Sequence, residues 1–312
     1  MDIELDHLFG PRLEFPDFDA AERLEQLVGL DEHQIALAKF LGVAINPGGL
    51  KQWIDKHHGG ADAMLSSLLR RPPLAVLAGD VGSGKTVLAE TIGDKIARTE
   101  GIKLILYPLS LSTRGQGRVG EMTHLLSEAF NHIYLEARKR RRDDGKPGAG
   151  VLMLIDEADA LAQSREESQM HHEDRAGVNA FIRGIDRLAE PNLPAAAIMC
   201  TNRPSALDPA IRRRAGELLT FSRPDDEQRR ALLEPLLANV GLKASTITDV
   251  INATGARSGR DYGCTYSDLV QRLIPEIALR AYPDRAISAD DAVAVATDLA
   301  PTPPFTDRGT EM

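Results

Sequence analysis

The eight residues GDVGSGKT, Gly79 to Thr86, fill every fixed position of the pattern G-x-x-x-x-G-K-[ST] and constrain the fold more tightly than anything else in the chain. Such a loop has to turn sharply out of a buried strand and into a helix, and both flanks fit. Leu74 to Ala78 is a short apolar run of buried-strand type, and Val87 to Arg98 reads as an amphipathic helix. The glycines let consecutive N–H groups point at a polyphosphate, and the following helix presents its positive dipole end to the same anion. Gly79, Asp80, Val81, Gly82, Ser83, Gly84, Lys85, Thr86 and Val87 are therefore the expected contacts for ATP. Lys85 would reach the β and γ phosphates, and the Thr86 hydroxyl would serve Mg²⁺, which prefers hard oxygen ligands.

Five apolar runs punctuate the chain: Leu74 to Ala78, Ile102 to Tyr107, Val151 to Ile155, Ala196 to Cys200 and Leu218 to Phe221. Helical patterns separate them, which predicts an α/β fold with a five-stranded parallel sheet covered by helices on both faces, its ligands at the carboxyl ends of the strands. From Pro224 onward the pattern is helical only, over Asp226 to Val240, Ser245 to Ala253, Ser267 to Tyr282 and Ala289 to Ala300. The expected organisation is an N-terminal helical segment and linker (1–70), the α/β core (71–223), a small all-helical lid (224–300) and a disordered tail (301–312). Within the first segment, Ala20 to Phe40 and Leu50 to Arg70 read as helices joined by Asn46-Pro-Gly-Gly49.

Composition removes several classes of function. The net charge of −9 argues against a general nucleic-acid coat, because non-specific affinity comes from Lys and Arg neutralising phosphates. Two cysteines, Cys200 and Cys264, outside any CxxC pair make a disulfide framework or thiolate zinc site improbable. The acidic start, MDIELDHLFG, lacks an apolar signal core, and no run is long enough to cross a bilayer, so the expected setting is cytoplasmic with no membrane partner.

Val151-Leu-Met-Leu-Ile155 runs straight into Asp156-Glu157, which sets two carboxylates at the end of an apolar strand. Asp156 is the expected Mg²⁺ ligand, directly or through water. Glu157 is the expected group that orients and deprotonates the attacking water, since phosphoryl transfer relies on positioning and charge stabilisation.

GDVGSGKT, VLMLIDEAD, CTNRP (Cys200 to Pro204) and LDPAIRRRAG (Leu207 to Gly216), in that order, resemble the AAA+ ATPases. The resemblance starts at LVGLDE, Leu27 to Glu32, which looks like the family's adenine-pocket segment and implies base contacts at Val28 and Gly29. It implies that Asn202 is the polar sensor holding the nucleophilic water; the alternative is an Asn turn ahead of Pro204. It also implies arginine fingers, acting on a neighbouring subunit, within Arg212-Arg213-Arg214, with Arg214 first and Arg213 second. A finger acting in trans implies a homo-oligomeric ring, a hexamer.

SLSTRGQGRVGEMTHLLSEAF (Ser110 to Phe130), DRAGVNAFIRGIDRL (Asp174 to Leu188) and RRRAGELLTF are most similar to the thyroid-receptor-interacting-protein-like branch, which remodels HORMA-domain proteins. Rubisco-activase-like proteins are a weaker match. Two departures stand out. The expected pore loop, Arg114-Gly-Gln-Gly-Arg118, has no aromatic residue to grip a threaded chain. At Gly263-Cys-Thr-Tyr-Ser-Asp-Leu269, Ser267 or Asp268 stands where the remodellers carry a lid arginine; Arg260 and Arg272 have unsuitable spacing, and that role stays unassigned.

His57-His58 and His171-His172 lack the spacing and accompanying acid of a helical zinc site and read as loop histidines. Arg138 to Arg142 reads as a solvated helix end suited to the helix dipole. The expected function is a Mg²⁺-dependent ATPase that remodels a protein client in a ring, with HORMA-domain or adaptor-presented proteins as the client class. A DNA-associated AAA+ protein, of helicase or clamp-loader type, and a rubisco-activase-like remodeller are the alternatives.

Overall fold

The computed structural model describes residues 8–110, 121–142, 146–159, 172–205 and 207–305. The chain divides into two compact units, one comprising the chain up to Gln26, Glu32–Ala78 and Thr86–Thr220, the other Leu27–Asp31, Gly79–Lys85 and everything from Phe221 onward.

The first unit is built on a sheet of β1 (Leu13–Phe15), β2 (Leu74–Gly79), β3 (Lys103–Ser110), β4 (Ala149–Asp156), β5 (Ala195–Thr201) and β6 (Glu217–Phe221), in the order β1-β3-β4-β5-β2-β6. β3, β4, β5 and β2 pair in parallel, with registers such as Ile105↔Val151 and Val76↔Met199. β2 and β5 are buried along their whole length, as strands covered on both faces must be, which is why they read as unbroken apolar runs. The sheet has six strands rather than five: β1 adds an edge by pairing antiparallel with β3, Leu13 opposite Leu106. Its three residues between Pro11 and Pro16 are too few to carry an alternation signal.

Helices Glu121–Arg140 and His172–Leu188 pack together, with the Phe130 and Phe181 rings edge-to-face at 5.6 Å. Burying a phenylalanine stabilises a fold by roughly 1.5–3 kcal/mol. A Cβ on Gly184 would meet the Phe130 ring at 2.3 Å, so this close helix approach depends on glycine.

Two long N-terminal helices are each split. Helices run over Phe18–Glu25, Asp31–Ile45, Pro47–His58 and Asp62–Leu69. Gly29, at φ 74°, interrupts the first pair. Asn46-Pro47 starts a helix instead of linking two, because the Asn46 side chain caps the Gly49 N–H and proline suits the first helical position. His57 and His58 therefore sit in a helix's last turn, beside the Trp53 ring, and not in a loop; His171 lies outside the described residues. The basic stretch ending Glu121–Arg140 is paired: Lys139 and Arg140 bond Glu136, and Arg141 bonds Glu190.

The second unit holds helices Asp226–Asn239, Ala244–Thr254, Ile274–Ala281 and Ala289–Asp298, with a π-helical turn, Asp268–Leu273, feeding the third. Pro275, which has no N–H to give, follows that turn. Its core is Leu233, Ile247, Val250, Leu269, Leu273 and Ile277 with their neighbours. The stretch 301–305, expected to be disordered, is held down. The Thr302 N–H and hydroxyl both donate to Asp268, and its carbonyl accepts from Arg223. Residues 306–312 lie outside the described residues.

Candidate functional site

The phosphate loop leaves β2 at Gly79. Its φ of 153° and its place under the Phe221 carbonyl, where a Cβ would stand 2.0 Å from the oxygen, admit no side chain. Within the loop the Ser83 hydroxyl donates to the Asp80 carbonyl, and the Val81 N–H donates to Asp80 Oδ1. Lys85 is buried, and its Nζ donates to the Gly79 carbonyl at 3.0 Å, the Asp80 carbonyl at 2.6 Å and Ser83 Oγ at 3.3 Å. A buried ammonium held by neutral oxygens is a strong anion receptor. Gly82, at φ 70°, lies against Thr265 and Ser267, and its carbonyl accepts the Ser267 N–H at 3.1 Å. Leu27–Asp31, most of the segment expected to meet the base, belongs to the same unit: Gln228 Nε2 donates to the Gly29 carbonyl, and Val28 packs on the helical core. The Tyr266 hydroxyl lies beside Gly29, buried and without a hydrogen-bond partner among the described residues.

In the sheet-bearing unit, helix Lys85–Glu100 continues from the loop with Thr86 and Val87. The Thr86 hydroxyl donates to Asp156 Oδ1 at 3.3 Å, so a small hydroxyl and a carboxylate meet as a pair of hard oxygen ligands, a donor set suited to Mg²⁺. Asp156 Oδ1 also accepts the Glu157 N–H at 2.9 Å. Glu157 has a φ of 51°, unusual for a residue with a side chain, and its exposed carboxylate makes no hydrogen bond among the described residues. Such a conformation costs of order 1–3 kcal/mol and recurs where a side chain must be aimed.

Asn202 follows β5. Its N–H and the Thr201 hydroxyl both donate to Asp159 Oδ1 at 2.8 Å. Asp159, the last letter of VLMLIDEAD, holds the start of the turn at Asn202, a contact that the motifs do not reveal. Asn202 is thus fixed through its backbone, and its carboxamide makes no hydrogen bond among the described residues.

The arginine cluster lies on the short helix Pro209–Arg212 and the turn after it. Arg212 donates to the Pro204 carbonyl, Arg213 is exposed with its guanidinium unpaired among the described residues, and Arg214 pairs with Asp186. Arg272 is held by Asp268 and Arg260 by the Ala253 and Gly255 carbonyls. Arg114 and Arg118 lie outside the described residues. A cavity of about 640 Å³ lined by Phe40, Leu69, Arg71, Leu188 and Asn192 opens at the amino ends of β2 and β5, the opposite end of those strands from the carboxylates.

A strand-loop-helix phosphate cradle, followed by paired carboxylates and a polar residue at successive strand ends, defines a class of nucleotide hydrolase. The family model described as ATPase family associated with various cellular activities (AAA) matches residues 75–223, and the chain belongs to that family. Within it, the chain is 59% identical over 304 residues to CD-NTase-associated protein 6 of Escherichia coli (strain MS 115-1), covering 97% of this chain and 98% of the relative. A second protein of that name, from E. coli strain KTE188, is 35% identical over 95% of this chain and 97% of its own length. Among solved structures, a chain of the E. coli MS115-1 HORMA:CdnC:Trip13 complex superposes with a TM-score of 0.90 at 57% identity, over 98% of this chain and all of that one. Rhizobiales Trip13 follows at 0.74 and 50%, over 95% of this chain and 100% of that one. Caenorhabditis elegans PCH-2, at 16% identity, TM-score 0.63 and 92% and 73% coverage, shares the fold.

Proposed function

We propose that this ATPase is a Trip13-like remodeller that uses hydrolysis within a homo-oligomeric ring, a hexamer, to change the conformation of a HORMA-domain protein. The observation that carries this reading is the near-complete superposition on a chain from the HORMA:CdnC:Trip13 complex, with majority identity over almost all of both chains. The proposed setting is the cytoplasm; as a separate observation, no helix among the described residues is long and apolar enough to cross a membrane.

In this reading Lys85 and the loop N–H groups bind the triphosphate, with Val28 and Gly29 along the base. Thr86 and Asp156 hold Mg²⁺, which when bound offsets phosphate charge. Glu157 takes the proton of the attacking water, and the carboxamide of Asn202 orients that water. Arg213 and Arg214 serve a neighbouring subunit's site. Arg213 reaches across without giving up a partner among the described residues, whereas Arg214 first leaves Asp186, and an exposed pair of this kind is worth no more than about 1 kcal/mol.

The test is ATPase rate against protein concentration, with and without a HORMA-domain protein or single-stranded DNA. Activity that rises cooperatively with concentration and responds to the HORMA-domain protein is the expected result. Activity independent of concentration, or stimulated only by DNA, would overturn it.

A further inference from the structure

An acid inside a phosphate loop is an electrostatic problem, because a carboxylate at Asp80 repels the polyphosphate that the loop exists to bind. Asp80 is answered from within its own unit. Arg223, just after β6, donates from Nε to Asp80 Oδ2 at 2.6 Å, and both side chains are largely buried. The same guanidinium donates from Nη1 to the Gly263 carbonyl at 2.7 Å and the Thr302 carbonyl at 2.8 Å, and it lies over the Tyr262 ring, 4.8 Å from its centroid.

These partners belong to one network. Thr302 is also bound by the buried Asp268, which accepts the Thr265 N–H and pairs with Arg272. Ser267, between Thr265 and Asp268, returns to the phosphate loop through the Gly82 carbonyl. The loop is therefore tied to the 263–269 segment at Gly82 and, through Arg223, to Gly263 and Thr302 at Asp80. The planar fork of arginine spreads these contacts over two nitrogens, Nε for the carboxylate and Nη1 for the two carbonyls. Arg223 Nη2 is nevertheless buried without a hydrogen-bond partner among the described residues. Leaving a buried donor unpaired costs stability, so the side chain is not optimised for holding the fold alone.

We propose that Arg223 is a positioning residue of the phosphate loop, one that cancels the charge of Asp80 and makes the loop's conformation part of the 263–269 and 301–305 segments. This rests on the nucleotide-binding reading of the loop and deepens it. The pair operates through charge compensation, so removing the cation harms binding only while the carboxylate remains.

The experiment is a titration of the full chain with fluorescent ATP and ADP analogues, alongside thermal unfolding of each variant. Arg223→Ala is expected to weaken nucleotide binding by roughly tenfold. Asp80→Asn combined with Arg223→Ala is expected to recover at least about threefold of that tenfold loss, and Arg223→Lys, which keeps the charge, to bind at least about threefold more tightly than Arg223→Ala. Native-like affinity of Arg223→Ala overturns the proposal, as does a double variant that binds as weakly as Arg223→Ala. Should Arg223→Ala not fold, weak binding by a folded Arg223→Lys overturns the charge role. Lys85→Ala separates the two readings: native affinity there removes the nucleotide-binding premise itself.

Discussion

Arg214 closes a two-point ion pair on Asp186 of its own chain, Nε to Oδ1 at 2.9 Å and Nη2 to Oδ2 at 3.2 Å, while Arg213 beside it is exposed and unpaired among the described residues. Adjacent arginines in one motif thus stand in different electrostatic situations. If a finger acts without breaking that pair, Arg213→Ala lowers kcat by roughly 10³-fold with nucleotide affinity unchanged, and Arg214→Ala costs far less. Steady-state kinetics on both variants, with ring formation checked by light scattering, decides between them; the reverse ranking would mean that Arg214 leaves Asp186 in the assembly.

Glu157→Gln removes a proton acceptor without altering the phosphate loop or the Thr86–Asp156 pair. Turnover should fall by roughly 10²–10⁴-fold while ATP affinity stays near native. Undiminished hydrolysis would refute the role given to Glu157.

Asp159→Ala removes the acceptor shared by the Thr201 hydroxyl and the Asn202 N–H. Asn202 then loses its fixed position, so kcat should drop about tenfold or more with KM little changed. A KM effect alone would assign Asp159 to nucleotide binding.

Burial of Asp268 works against its ionisation, yet hydrogen bonds from Thr265 and Thr302 and the Arg272 contact bring its pKa down to about 2. A carboxylate depressed on folding contributes stability above its unfolded pKa and loses it as pH falls through the folded value. The contribution should therefore disappear between about pH 4 and pH 2. Asp268→Asn should lower thermal stability at pH 7, and the gap to the native chain should narrow over that window; a gap unchanged by pH would exclude this origin.

Thr302→Ala deletes a hydroxyl bond to that carboxylate while leaving the backbone contacts in place. Hydrogen bonds to charged groups contribute about 1.5–3 kcal/mol, so calorimetry should register a loss of that size in the helical unit. No loss would mean that the 301–305 stretch is held by its backbone alone.

Much of the site is legible locally because phosphate chemistry is served by neighbours in sequence. Gly79, Gly82 and Lys85 fall within one short loop and the start of the helix after it, and Asp156 and Glu157 end an apolar run of buried-strand type. The helical breaks at Gly29 and Gly59-Gly60, the short strand Leu13–Phe15 and the ordered stretch at Thr302 were not legible. Three of these depend on a partner distant in the chain: Gly29 on Gln228, Leu13 on Leu106, Thr302 on Asp268.

Periodicity and contacts a few residues apart are enough, from the sequence alone, for the α/β fold class, the expected triphosphate loop and the carboxylate pair at a strand end, and the order of the motifs carries the resemblance to the AAA family. Which arginine of the cluster is held by an acid of its own chain, that Asp159 holds Asn202, and that Arg223 answers Asp80 across 143 positions emerge only once the chain is folded. Long-range pairing of that kind carries no local signature, because one arginine reads like another in the sequence until folding gives it a carboxylate to meet.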